Sequence, residues 1–227
     1  MAKNHEELIA KEGWIFFFPL LILALLSFVL QVSWWVGALF AVLAAYVAYF
    51  FRNPYRQIPA EPGQIVSPAD GKVVAVQSGP DGRHTISIFL NIFNVHINRS
   101  PVAGTVSQVT YHKGKFLAAY KEEASTANER NHLVIRDGDF EIEVIQIAGL
   151  IARRIVCWVG QGEKLIRGQR FGLIRFGSRV DLILPANCRI VVKPGQKIAG
   201  GSDILAVRSA DEPLVGQKAQ SKDGEEP

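Results

Sequence analysis

Charged side chains are absent from residues 13–51 and dispersed along the chain that follows, so hydropathy divides the sequence before any motif is read. Residues 14–30 and 34–51 are almost wholly apolar. One helix over this stretch would run to about 57 Å, roughly twice the hydrocarbon thickness of a bilayer. The pattern therefore predicts two short helices broken at Gln31-Val32-Ser33, a membrane hairpin returning both ends to one side; a buried core helix fits this length poorly. Beyond Arg56 the period changes to alternation, as in Lys72-Val73-Val74-Ala75-Val76, Thr85-Ile86-Ser87-Ile88-Phe89-Leu90 and Phe140-Glu141-Ile142-Glu143-Val144-Ile145, which predicts strands punctuated by glycine turns. One short helix is expected near 118–127, where Tyr120, Lys121 and Glu122 neither alternate nor read as a turn.

The head, residues 1–12, carries Lys3, Glu6, Glu7, Lys11 and Glu12 and lacks the basic start and small-residue cleavage site of a secretory signal, so the apolar segment over 13–53 reads as a retained anchor. Arg52, Arg56 and Lys72 follow it, a positive flank that favours the cytoplasmic side of the cell membrane for the large domain. Trp14, Trp34, Trp35, Tyr46 and Tyr49 suit either interfacial anchoring or helix packing. Residues 54–215 are enough for one domain with its own core, and the charged 216–227 segment reads as a disordered tail. A net charge of +4 spread over the chain argues against nucleic acid as a partner and suits an anionic lipid surface. Cys157 and Cys188 have neither metal-ligand nor disulfide-framework spacing; they read as buried thiols, and no metal site is expected.

Two internal echoes suggest a repeated β architecture. Ser67-Pro68-Ala69-Asp70-Gly71-Lys72-Val73 resembles Ser100-Pro101-Val102-Ala103-Gly104-Thr105-Val106, and residues 162–168 resemble 195–201. Such elements are similar to the turns of lipoyl- and biotinyl-type barrels. The fold class expected is a mainly β (β-rich α+β) domain with lipoyl/biotinyl-barrel-like elements, preceded by the N-terminal helical hairpin.

The candidate chemistry centres on Arg175-Phe176-Gly177-Ser178-Arg179-Val180-Asp181. A serine that follows glycine between apolar strand residues can attack its own backbone, because glycine reaches strained conformations and does not crowd the carbonyl. The hydroxyl needs a base, and imidazole titrates near neutrality. His96 follows the 85–90 strand and precedes a proline turn, whereas His5 lies in the head and His84 in a hairpin turn; His112 and His132 remain competitors. Asp70 is either a turn residue accepting local backbone bonds or the acid of a serine–histidine–aspartate set. A second Gly-Ser pair, Gly201-Ser202, sits in what reads as an ordinary turn.

With Phe50-Phe51-Arg52-Asn53-Pro54, Lys113-Gly114-Lys115-Phe116, Asn128-Glu129-Arg130-Asn131 and Gly149-Leu150-Ile151-Ala152-Arg153-Arg154 in the same order, the chain resembles the short-form phosphatidylserine decarboxylases. The resemblance implies self-cleavage between Gly177 and Ser178 into fragments 1–177 and 178–227 that stay associated. It implies that Ser178 becomes a covalent pyruvoyl cofactor forming a Schiff base with phosphatidylserine, an electron sink that allows loss of carbon dioxide and leaves phosphatidylethanolamine. His96 is then the base and Asp70 the residue that fixes its tautomer. Many relatives carry a second histidine three residues before His96; here that residue is Phe93, so phosphate binding is assigned to backbone N–H groups or to Arg99 and Lys115. A homo-oligomer is left open. Two alternatives stand beside this reading: a decarboxylase of another serine phospholipid, of the archaetidylserine type, and a non-enzymatic membrane-anchored adaptor whose chain stays intact.

Overall fold

The computed structural model describes residues 7–117, 127–149, 154–175 and 177–209. The expected tail and, save for Ala127, the helix expected near 118–127 lie outside these residues. The apolar segment forms α1 (Trp14–Val29) and α2 (Trp34–Phe50), and the turn between them holds Gln31 at φ 51°. The helices pack through small residues: Ala24, Ser27, Gly37 and Ala44 are buried, while Leu25, Val29, Trp35 and Val42 face outward. A Cβ on Gly37 would lie 2.7 Å from the Phe28 ring, so the close approach of the helices requires glycine there. One helical stretch, Lys11–Val29, is long and apolar enough to cross a membrane; Trp34–Phe50 is shorter.

Fourteen strands follow among the described residues: β1 (Gln64–Val66), β2 (Gly71–Ser78), β3 (His84–Leu90), β4 (Ile97–Arg99), β5 (Gly104–His112), β6 (Arg130–Asp137), β7 (Phe140–Ala148), β8 (Ile155–Cys157), β9 (Lys164–Leu165), β10 (Arg170–Ile174), β11 (Ser178–Leu184), β12 (Cys188–Ile190), β13 (Lys197–Ile198) and β14 (Ile204–Arg208). Eight of them make one antiparallel sheet in the order β13-β2-β3-β11-β7-β6-β5-β9, curled as a half-barrel. Two three-stranded sheets, β1-β14-β12 and β4-β10-β8, complete the domain. Alternation sets the core face: Val180, Leu182 and Leu184 of β11 and Ile142 and Val144 of β7 are fully buried in one cluster with Ile86 and Ile88 of β3. On the other face of β11, Arg179 is ion-paired with Asp181 at 2.6 Å and donates to Ser87 Oγ, which satisfies two charges within the buried strand.

The two sequence echoes occupy matching places at opposite ends of the large sheet. β13 pairs with the start of β2, Lys197 opposite Lys72, and β9 pairs with the start of β5, Lys164 opposite Thr105. Each echo repeats the other's bonds: Ser67 and Ser100 both turn their hydroxyls to the carbonyl two residues on at 2.6 Å, and Gly201 and Gly168 donate to Ser67 and Ser100 at 2.8 Å. Register shifts fall at Val73/Ala75 and at Val106/Gln108, so both edges curl at the same step. The echoes also join each other, Arg99 N–H to the Pro68 carbonyl and Val66 N–H to the Pro101 carbonyl.

A smaller apolar cluster, with Val47, Phe50 and Phe51 of the hairpin end against Val95, Ile97 and Leu173, fastens the hairpin to the β4-β10-β8 sheet. Trp158 Nε1 adds a 2.8 Å bond to Glu12.

Candidate active site

β11 begins at Ser178, which is opposite Leu90 of β3 on one side and Ala148 of β7 on the other. Both neighbours are buried, and so is Ser178, whose Oγ has no hydrogen-bond partner. A buried hydroxyl left unpaired costs about 1–3 kcal/mol, which strand pairing on both sides sustains here. Gly177 enters the strand at φ 64°, a left-handed conformation that favours glycine, and among the described residues nothing beyond its chain neighbours lies within 4 Å of where a Cβ would stand.

His96 lies just before β4 and points at the same junction. The Gly177 N–H reaches its Nε2 at 3.4 Å, while Nδ1 lies 2.9 Å from the Asn94 carbonyl. A carbonyl only accepts, so Nδ1 carries the proton and the Nε2 lone pair faces the junction. The imidazole is 2% exposed and lies against the Phe50 ring with centroids 4.1 Å apart. Burial pushes it down to about 4; the bond to Asn94 opposes that shift and the Arg52 charge adds to it. At neutral pH the ring is uncharged, with its unprotonated nitrogen toward the bond expected to break. No comparable placement exists for the competitors: His132 is paired with Glu143, and His112 sits at the far end of β5.

Asp70 is placed differently from the expected triad. Arg56 Nη2 reaches both of its oxygens, at 2.7 and 3.0 Å, and the Gly200 N–H donates to Oδ1 at 2.7 Å. The carboxylate and the His96 ring share no hydrogen bond; the tautomer is held by the Asn94 carbonyl, two residues upstream in the same loop. Burial raises the Asp70 pKa, opposed by Arg56 and the Gly200 N–H. Arg99 is buried and donates to the carbonyls of Gly168 and Pro54 and to Asn53 Oδ1. Lys115 is exposed, its backbone bridged to Asn128. The structure therefore joins Ser178, Gly177 and His96 at one point and gathers Asp70 and Arg99 with Arg56 at another. Both cysteines are free thiols, Cys188 buried as expected and Cys157 only half-buried, and the described residues contain no cluster suited to a metal.

Several residues were not legible beforehand. The end of α2 grips the loop that carries His96: Tyr46 Oη donates to the Ile92 carbonyl at 3.2 Å, and Tyr49 Oη and Arg52 Nη2 both donate to the Phe93 carbonyl, at 3.3 and 2.9 Å. Behind His96 a chain of buried amides runs from Asn131 to Gln146 to Asn98, at 2.9 and 2.8 Å. Asn128 donates to the Ala148 carbonyl at 2.7 Å, beside Ser178. The motifs containing Phe50, Asn128 and Asn131 were the available signal, but motif order gives no spatial role. The second Gly-Ser pair is a closed turn: Gly201 donates to Ser67, and a Cβ there would meet Arg99 Cδ at 2.7 Å.

A family model described as phosphatidylserine decarboxylase matches residues 43–206. The phosphatidylserine decarboxylase proenzyme of Symbiobacterium thermophilum is 47% identical over 212 residues, covering 90% of this chain and 98% of the relative. Proteins of the same description from Cupriavidus pinatubonensis and Burkholderia vietnamiensis are 45% and 47% identical, each covering 88% of this chain and 94% and 95% of the relatives.

Proposed function

The chain belongs to the phosphatidylserine decarboxylase family, and on that premise we propose that Ser178 is its self-processing nucleophile, Gly177 the residue whose carbonyl it attacks, and His96 the base. The family is one of carboxy-lyases made as proenzymes that draw a pyruvoyl group from a serine, so the adaptor reading with an intact chain gives way. The observation that carries the assignment is the 3.4 Å approach of His96 Nε2 to the Gly177 N–H beside an unpartnered, buried Ser178 Oγ.

In self-processing, His96 Nε2 takes the Ser178 hydroxyl proton as Oγ bonds to the Gly177 carbonyl carbon. The amide bond breaks, and the Ser178 nitrogen receives that proton, leaving an ester. Loss of the Ser178 Cα proton expels the Gly177 carboxylate from Cβ; uptake of water and release of ammonia leave the keto group at the new end. The site fits a group made from Ser178, since the residue is buried between two strands with its hydroxyl unpartnered among the described residues. When formed, the pyruvoyl group supplies the carbonyl that withdraws electrons as the substrate carboxylate departs. His96, neutral and shielded by Phe50, then holds or returns a proton at Nε2. Asp70 serves as a positioning residue, holding Arg56 and the Gly200 N–H near β4, the strand that follows His96.

Residues 54–215 are the catalytic unit in this reading, 13–53 its anchor on the cytoplasmic face of the membrane, and the substrate phosphatidylserine. Intact-mass measurement of the purified protein tests it: two species are expected, the smaller spanning 178–227 and lighter by one ammonia than a serine-started fragment. A small fragment beginning at Ser202, or an uncleaved chain, would overturn the assignment.

A further inference from the structure

A cavity of about 590 Å³ lies between the chain leaving the hairpin and the 166–170 loop. Arg56, Arg99, Arg167 and Arg170 line it, and among the described residues no carboxylate does. Arg56 has Asp70 as partner, yet its Nε is buried without one. Arg99 and Arg167 are matched only to neutral oxygens, Arg167 to the carbonyls of Glu61 and Gln64. Arg170 stands opposite Arg99 across the β4–β10 ladder, where like charges repel. Burial lowers the Arg99 pKa to about 10, the charges of Arg170 and Arg56 press the same way, and the Asp70 carboxylate opposes them. Guanidinium groups gathered in a walled cleft focus a positive potential, and their planar forks match phosphate oxygens.

The mouth has the opposite character. Leu8, Tyr55 and Ile166 line the same cavity and are 82%, 87% and 68% exposed, beside the point where α2 ends. A basic floor under an apolar rim, next to a membrane helix, suits a molecule with a phosphate at one end and acyl chains at the other. We propose that this cavity binds the phosphate of an anionic glycerophospholipid as a companion to the substrate. Arg99 is three strand residues from His96, about 10 Å along the backbone, so this headgroup would lie beside the reaction centre and not in it. The inference goes beyond decarboxylation and does not depend on which serine is cleaved.

The full-length protein in neutral-detergent micelles would be titrated with phosphatidylglycerol or phosphatidylcholine. Bound lipid is read by native mass spectrometry, and arginine accessibility by phenylglyoxal labelling. Phosphatidylglycerol should bind about ten-fold more tightly than phosphatidylcholine and protect Arg167 and Arg170 from labelling, and Arg170→Gln should lose the preference. Equal binding of the two lipids, absence of protection, or a preference retained in Arg170→Gln would overturn the site. Protection by the same concentration of inorganic phosphate equal to that by phosphatidylglycerol would overturn its assignment to a lipid. Labelling is done on the unmodified chain, so it decides the matter even if Arg170→Gln fails to fold. The same titration on Ser178→Ala separates this site from the processing chemistry, because lipid preference should survive there.

Discussion

The Ser178 junction, at the start of β11, and the Asp70 cluster, just before β2, belong to one sheet with β3 between those two strands, and they have opposite physical characters. At the junction a neutral imidazole, an unpaired hydroxyl and the Phe50 ring make a dry site without an ion pair of its own. Around Asp70, one carboxylate faces Arg56 at the edge of an arginine-lined cavity. The two surroundings favour different chemistry: a hydroxyl and an imidazole exchange a proton best where neither is solvated as an ion, whereas phosphate is held by fixed cations.

Substitutions should separate the two regions, beginning with Ser178→Ala. It should give one uncleaved chain and no decarboxylase activity, read by intact mass and by release of carbon dioxide; two fragments would remove Ser178 from the mechanism. His96→Ala should slow processing by about 10²–10⁴-fold while leaving the chain folded, and a normal rate of fragment appearance on gels would exclude it as the base.

The pH dependence tests the dryness of the junction. Since His96 titrates at about 4 in the folded protein, processing should be flat from pH 8 to about 5 and fall only near pH 4. The unfolded chain takes up this proton near pH 6.5 and the folded chain does not, so the contribution of His96 to stability is full above 6.5 and is lost as pH falls through 4. Phe50→Leu opens the ring to water and should move the fall in processing up by about one unit. An unshifted profile would mean that Phe50 does not control the imidazole.

Asp70→Asn should act on the other region. It leaves Arg56 without its carboxylate, and a loss of about 1–3 kcal/mol should lower the melting temperature by several degrees, with processing slowed only about ten-fold. Slowing as large as that of His96→Ala would show that the carboxylate acts on the imidazole directly. The smallest effect should come from Ala103→Asp, which puts a carboxylate at the exposed position matching Asp70 in the second echo. Melting should change by less than about 0.5 kcal/mol and processing not at all, because the position is exposed and is not part of the Ser178 junction. A slowed maturation would show that the two ends are not functionally distinct.

Much of this was readable residue by residue. The uncharged stretch interrupted at Gln31-Val32-Ser33 specifies two helices, and the alternation around Val180 and Leu182 specifies a strand with one core face, because both follow from local periodicity and backbone preference. The echoes were visible as sequence, but their pairing with each other's neighbours was not. The contact of His96 Nδ1 with the Asn94 carbonyl was not legible, since a motif cannot tell a carboxylate from a backbone carbonyl two residues away.

By itself the sequence determined the pair of apolar helices, the β character of the domain and the glycine–serine bond, since each is written in contiguous residues. Only the tertiary structure decided that Phe50 shields His96, that Arg52 and two tyrosines of α2 hold its loop, and that Asp70 faces Arg56. Those contacts join residues far apart in the chain; they exist only once the hairpin end is packed on β4 and β10, where burial sets which groups can stay charged.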